Sequence, residues 1–347
     1  MSSFPVKELP WLSATGPESN MVISSRVRLA RNLKAFRFEN KLSEQEAENL
    51  LVLIADILKS SIEGDYLDFS LINPTEIQSL LECHLISIDF ATSKKKRGLY
   101  LLKSGDCAIM INEEDHLRIQ ALVSGFDFES SFEIASSVEK TLDSQLEFAF
   151  DETFGYLTSC PTNVGTGMRI STFLHLPGLV LTKEIEKVLR GAMTIGLAVR
   201  GIFGEGSEIR GNLFQISNQV SLGSSEEEII ETLKRSIRQI IDYEMKARES
   251  LIKHAPLELE DKIFRAIAIL KSARLLTSTE SVNLLSAVRL GIEMEVIKNY
   301  SLALINRLMI LTRPANLQLY LGRTLTPNDR DIERAKLFQR MLKDGGG

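Results

Sequence analysis

The chain has 347 residues, 44% of them apolar and 25% charged, which is ordinary for a soluble globular protein and enough for one large core plus a smaller one. The net charge of −5 gives no overall attraction to nucleic acid or an anionic membrane, and apolar runs such as Leu50 to Ile54 are far too short to cross a bilayer. Three cysteines without C-x-x-C spacing and four histidines without H-E-x-x-H spacing argue against a disulfide framework or a zinc site, and the N-terminus has no basic start followed by an apolar run, so a reducing cytoplasm is expected.

Residues 1 to 40 read as irregular or extended. A helix is predicted from Ser43, where Ser43 and Glu46 form a capping box and Ala47, Leu50, Leu51, Ile54 and Leu58 share one face. Residues 98 to 103 and 107 to 112 read as a hairpin around Ser104-Gly105-Asp106, and the second strand runs into Asn112-Glu113-Glu114-Asp115-His116. A helix from Ser130 to Leu146 precedes a Gly-, Thr- and Pro-rich stretch, Gly155 to Arg169. Next come a helix from Lys183 to Leu189, a second glycine-rich stretch from Arg200 to Gly211, and a strand from Leu213 to Ser217. A long helix from Ser225 should end at His254, before Pro256. From 259 to 312 the period is helical throughout, Thr277 and Glu280 offer another capping box, and a last helix spans Asn328 to Lys343. The change of character places a boundary between domains of residues 1–254 and 255–347.

Four segments concentrate polar and glycine residues beyond what a core requires: 24–31, 112–118, 160–169 and 200–208. Arg26 and Arg28 alternate, so in an extended segment both face one way, and Arg118, Arg169 and Arg200 lie at the edges of the other segments. Converged, these five would form a polyphosphate cradle, since guanidinium forks match phosphate oxygens; without a P-loop sequence, no nucleotide would be held in that manner. Spacing alone cannot show convergence, and ordinary surface arginines remain the simpler reading. Glu114 follows a strand, and Glu205 sits between Gly204 and Gly206, where a ligand can approach closely. Each alone is more often a solvated loop acid. Together they could grip a planar guanidinium, a poor nucleophile that must lose a proton as it reacts. Cys160, before Pro161, is either a small buried hydrophobe or a thiolate held ionised by nearby cations.

Taken together, Arg26-Val27-Arg28, Asn112 through Arg118, Cys160-Pro161-Thr162-Asn163-x-Gly165-Thr166-x-x-Arg169 and Arg200-Gly201-x-x-Gly204-Glu205 resemble the signature set of the phosphagen (guanidino) kinases, over residues 26 to about 223. Asn212 to Gln219 resembles the bacterial branch that phosphorylates arginine side chains in proteins. The resemblance implies an α/β (α+β) catalytic domain built on a large, mainly antiparallel sheet flanked by helices, followed by an all-α domain. It implies that Arg26, Arg28, Arg118, Arg169 and Arg200 bind ATP phosphates, that Glu114 is the base and Glu205 the second guanidinium clamp, and that Cys160 sits beside the substrate. His84 matches a histidine near the nucleotide. Mg2+ would be held by phosphates and water rather than by an acidic cage.

Two departures bear on the substrate. Only 25 residues precede Arg26, where metabolite-using relatives carry a further helical domain, so the site is expected to be open to a protein side chain. Phe203 stands where metabolite kinases have another arginine. In the C-terminal region, Arg330-Asp331-Ile332-Glu333-Arg334-Ala335 resembles a phosphoarginine-binding motif. Arg330 and Arg334, at i and i+4, would take the phosphate and Asp331 the guanidinium, although the string alone reads as a solvated helix face. The implied partners are proteins with exposed arginines, among them a heat-shock repressor, an activator protein, a Clp-type ATPase and a second copy of the chain. An enzyme acting on free arginine and a non-catalytic phosphoarginine reader stay as alternatives.

Overall fold

The computed structural model describes residues 9–201 and 210–343. Its centre is an eight-stranded antiparallel sheet. In chain order the strands are β1 (Val22–Arg31), β2 (Gly64–Asp68), β3 (Gly98–Leu102), β4 (Cys107–Ile111), β5 (Leu117–Ser124), β8 (Met168–His175), β9 (Leu197–Arg200) and β10 (Leu213–Asn218), with β6 (Phe150–Asp151) and β7 (Gly155–Tyr156) forming a separate short hairpin. The spatial order is β2-β3-β4-β5-β1-β8-β10-β9, so β1, the first strand, lies inside the sheet between β5 and β8.

Helices α1 (Glu44–Ser61), α2 (Pro74–Glu82), α3 (Ile88–Thr92), α4 (Phe128–Asp143), α5 (Pro177–Leu181), α6 (Ile185–Thr194) and α7 (Glu226–His254) accompany the sheet. Five more follow: α8 (Pro256–Ser272), α9 (Ser278–Glu293), α10 (Leu302–Leu311), α11 (Pro314–Leu321) and α12 (Pro327–Met341). The Ser43–Glu46 capping box forms with both reciprocal bonds, and the five apolar positions expected on one face of α1 are buried. Ser225 and Glu228 cap α7 in the same way, which sets the start of that 29-residue helix. Pro256 opens α8, where its missing N–H costs nothing.

The apolar run of β4 reflects burial on both faces. Cys107, Ile109 and Ile111 point into a core shared with Leu50 and Ile54 of α1, Val138 of α4 and Ile237 of α7. Ala108 and Met110 point the other way, into a core containing Leu80 of α2, Ile263 of α8, Leu285 of α9 and Phe338 of α12. Each such Leu or Ile contributes about 1.5–3 kcal/mol by leaving water. This second core crosses residue 255, so the C-terminal helices pack directly on the sheet. A buried ionic cluster joins them further. Glu293 of α9 pairs with Arg289 and with Arg248 of α7 at 2.8 Å, and lies 3.3 Å from Nδ1 of His175 on β8.

Candidate active site

Val27 and Leu29 enter the core shared with α1, α4 and α7, so strand alternation sends Arg26 and Arg28 to the opposite face. In an antiparallel pair, directly opposed residues share a face. Arg28 faces Arg169 on β8 and Gln120 on β5, and Ala30 faces Arg118. Arg26 faces Ser171, whose Oγ accepts from Arg26 Nε at 3.2 Å. Arg200, on the edge strand β9, faces Gln215, which in turn faces Phe173 of β8. The five arginines expected to converge therefore share one face across five adjacent strands.

Their charges interact. Burial, and then the nearness of Arg118, Arg169 and Arg200, pulls Arg26 down to about 9 from an ordinary 12.5. Arg28 is lowered well below its ordinary value by burial and then by Arg26, Arg118 and Arg169, with Glu113 opposing, and its Nε is buried with no hydrogen-bond partner among the described residues. Guanidinium does not give up its proton in practice; burial is the largest cause of the lowering, and the part due to the neighbouring arginines reflects a positive potential that a polyanion would relieve.

The turn 112–116 presents three consecutive acids differently: Glu113 and Asp115 are buried and Glu114 is exposed. Asn112, in a left-handed conformation at φ 62°, ties the turn to the carbonyls of Ala47 and Lys96 at 3.0 and 3.1 Å. Burial works to raise Glu113, but Arg118, the Ser87 hydroxyl at 2.5 Å, the Glu114 amide and Arg28 hold it below its ordinary value. Glu114 is shifted the other way, upward, by desolvation and by Asp115 and Glu113, with Arg118 opposing. Asp115 accepts from Asn32 Nδ2 and from the Ser159 amide, both at 2.7 Å. The Asp115–Ser159 bond brings the Glu114 turn against the segment that carries Cys160. His116 Nδ1 accepts from the Leu33 amide at 3.0 Å, so its proton sits on Nε2 and is donated to Arg37 O at 2.7 Å.

Cys160 is partly buried, with Sγ 3.1 Å from Thr162 Oγ1, at the start of a 3-10 turn, Pro161–Asn163. Ser221 Oγ donates to Val164 O at 3.0 Å, and a Cβ on Gly165 would lie 2.8 Å from Ser221 O. Only glycine lets this loop seat against the chain leaving β10. On the other flank of the arginines, a small cavity is lined by Trp11, Arg26, His84, Ser171, Phe173 and Gln215. The His84 ring lies 5.7 Å from Trp11 and 5.9 Å from Phe173, centre to centre, and its Nε2 is buried without a partner among the described residues.

Comparison with known proteins identifies the frame. The ATP:guanido phosphotransferase C-terminal catalytic domain matches residues 46–247, and the protein-arginine kinase McsB C-terminal domain matches residues 256–345. The protein-arginine kinase of Bacillus cereus (strain G9842) is 45% identical over 338 residues, covering 96% of this chain and 95% of its own. That of Bacillus mycoides (strain KBAB4) is 45% identical over 339 residues, covering 96% of each. The chain belongs to the protein-arginine kinase family. Among solved structures, a Schistosoma mansoni taurocyamine kinase with bound transition-state-analogue components superposes with TM-score 0.61 at 24% identity, over 71% of this chain and 36% of that one. Lombricine kinase superposes with TM-score 0.59 at 24% identity, over 68% and 71%. These two share the fold, a phosphagen-kinase catalytic domain with a large antiparallel sheet, as expected.

Within this protein-arginine kinase fold, Arg26, Arg28, Arg118, Arg169, Arg200, His84, Glu114 and Cys160 gather around one sheet face and its bordering turns. Glu205 and Phe203 lie outside the described residues. Arg330, Asp331 and Arg334 lie apart from the cluster, on α12. There Arg334 is not on a solvated face: it is buried, donating from Nε to Thr312 O and from Nη1 to Leu276 O, both at 2.7 Å, and pairing with Asp331 at 2.5 Å. Arg330 and Asp331 keep partial exposure. Four supporting residues escaped the sequence reading: Asn32, Glu113, Asp115 and His116. Motif membership pointed at the last three, but their inward direction depends on the turn, and Asn32 gives no local signal.

Proposed function

We propose that the chain transfers the γ-phosphoryl group of Mg-ATP to the guanidinium of arginine side chains in proteins. The observation that carries this is the crowding of Arg26, Arg28, Arg118, Arg169 and Arg200 on one face, bordered by an exposed carboxylate, Glu114, whose proton affinity is raised. The arginines fit a nucleotide polyphosphate: Arg28 has a buried donor without a partner among the described residues, and Arg26 and Arg28, lowered first by burial, are surrounded mainly by other arginines rather than by carboxylates. Bound there, ATP supplies the phosphoryl group, with Mg2+ carried by phosphate oxygens and water.

The arginines stabilise the charge that develops on the transferring group. Glu114, with Glu205, orients the guanidinium, and Glu114 takes the proton released as the N–P bond forms and ADP leaves. A base contributes roughly 10²–10⁴-fold, and orientation of the reacting groups up to roughly 7–11 kcal/mol. Cys160 holds the guanidinium from the side. The relatives' naming as protein-arginine kinases favours protein arginine over a metabolite as acceptor.

We further propose a division at 254/255 into a catalytic and a helical domain, a cytoplasmic location, a homodimer, and use of the mark to direct proteins, a heat-shock repressor among them, to a Clp-type protease under stress, with an activator protein. In the helical domain, Arg330 and Asp331, with Arg334 bracing Asp331, would read phosphoarginine, letting product stimulate the enzyme through differential binding to its active state.

The test incubates the chain with Mg-ATP and a generic protein and looks by mass spectrometry for acid-labile phosphate on arginine. Phosphorylated free arginine with no protein product would overturn the reading. Arg330→Ala should weaken phosphoarginine binding in calorimetry while sparing ATP binding; unchanged affinity would remove that site.

A further inference from the structure

His84 occupies an unusual backbone position. Helix α2 ends in a Schellman arrangement: the Leu85 amide donates to Leu80 O and the His84 amide to Leu81 O, both at 3.0 Å, with His84 itself left-handed at φ 59°. Glycine is the residue this position favours, because a Cβ is strained there. A histidine persists in such a conformation only where its surroundings over-determine it. From within the catalytic sheet, Gln120 Nε2 donates to the carbonyls of His84 and Leu85 at 2.8 and 2.9 Å. The ring fills the space between Trp11 and Phe173 and lines the cavity beside Arg26.

The residue two places earlier is held from the helical region. Glu82, the last residue of α2, is 3% exposed. Its carboxylate accepts from the Ala315 amide at 3.0 and 3.1 Å and from the Asn316 amide at 2.9 Å. These are the first available N–H groups of α11, whose own N-cap residue, Arg313, gives no side-chain cap and whose first residue, Pro314, has no N–H. Glu82 therefore caps α11 from a different helix, where charge and helix dipole also agree. Ser79 Oγ, one turn earlier on α2, reaches Asn316 Oδ1 at 2.5 Å. The end of α2 is thus fastened to α11 on one side while it presents His84 to the arginine-lined face on the other.

We propose that Glu82 is a positioning residue for nucleotide binding: by capping α11 it fixes the α2 terminus that presents His84 to the Arg26 cavity. Nucleotide affinity then depends on how the C-terminal helices seat against α2. The proposal rests on the reading of that cavity as the nucleotide side of the site.

The test measures Mg-ADP binding to the full chain by calorimetry, together with KM for ATP and kcat on a protein substrate, for Glu82→Ala and Glu82→Gln. Glu82→Ala should raise the ADP dissociation constant and KM for ATP about tenfold while kcat at saturating ATP stays within about twofold, because the phosphate ligands and base are untouched. Glu82→Gln, which keeps one acceptor, should recover part of the loss. A folded Glu82→Ala chain with unchanged ADP affinity, or one whose kcat alone falls, would overturn the proposal. Should Glu82→Ala not fold, Glu82→Gln and Ser79→Ala carry the same expectation in weaker form, and unchanged ADP affinity in both would overturn it. His84→Ala separates the two readings. If it weakens ADP binding and the Glu82 variants do not, only the positioning role fails; if it leaves ADP binding intact, the nucleotide assignment of the cavity fails as well.

Discussion

On the sheet face Arg26 stands among Arg118, Arg169 and Arg200, and Arg28 stands among Arg26, Arg118 and Arg169. In the C-terminal helices Arg289 is fully buried, more deeply than the half-buried Arg26 and Arg28, yet it pairs with Glu293, donates to Asn306 Oδ1 at 3.2 Å, and donates to the carbonyls of Asn20 and Ser19 at 3.1 and 2.7 Å. Burial is the largest influence on both, and Arg26 and Arg289 are each lowered to about 9. The depression by itself therefore says nothing about function. The partners separate the two cases: Arg289 has a carboxylate and three oxygen acceptors within the protein, whereas Arg26 and Arg28 are ringed mainly by other arginines. In the proposed function a bound polyphosphate would supply the opposite charge that Arg26 and Arg28 lack within the protein.

That distinction predicts effects of opposite kind. Removing Arg289 leaves Glu293 and several carbonyl oxygens underpaired in the interior, so Arg289→Met should cost about 3–5 kcal/mol in denaturant unfolding. The activity of the remaining folded fraction should stay near normal, and an unchanged unfolding midpoint would erase the difference between the two regions. Arg28→Ala should behave in reverse. Turnover should fall about 10²–10³-fold, as for loss of one transition-state donor, while the unfolding midpoint holds or rises because repulsion is relieved. A stability loss like that of Arg289→Met would show that Arg28 is structural after all.

Much of the sheet face was legible because strand alternation and motif order act locally. Val27 and Leu29 require a core, and that requirement alone turns Arg26 and Arg28 outward. The caps at Ser43, Ser225 and Thr277 are likewise local, and each opens its helix where the sequence places it. Illegible features involve pairs distant along the chain. Glu82 capping α11 spans 233 residues, and Arg334 donating to Leu276 spans 58. The i,i+4 spacing of Arg330 and Arg334 on α12 carries no sign that packing against the carbonyls before α9 and α11 buries Arg334 while Arg330 stays partly exposed.

Glu114 sharpens the comparison from the acid side. Its neighbour Glu113 is held below its ordinary value, fixed to Arg118, while Glu114 lies above its own. The role of base proposed for Glu114 requires its deprotonated form, so under that proposal activity should rise with pH through a value above the ordinary 4.5. Glu114→Gln should lower turnover by about 10² and remove that acid limb, with little change in stability because the side chain is exposed. A limb that survives in Glu114→Gln would assign it to another group.

The smallest effect expected is one of pH on stability, and it belongs to the compensated region. His175 Nε2 lies 2.8 Å from Ser286 Oγ, and its Nδ1 faces Glu293, which Arg248 and Arg289 already occupy. Burial, followed by those two arginines, lowers His175 well below 6.5, so it is neutral in the fold. Above pH 6.5 both folded and unfolded chains carry it neutral, and its contribution is fully present. As pH falls below 6.5 the unfolded chain takes a proton that the fold does not, and stability is lost progressively towards the folded-state value. Thermal midpoints measured across this range should therefore decline before the ordinary carboxylates titrate. His175→Gln, which cannot be protonated there, should reduce the slope, with His84 and His116, both also lowered by burial, supplying what remains. An identical slope in His175→Gln would mean that the ionic cluster admits the imidazolium, and that Glu293 is less fully engaged by its two arginines than their distances indicate.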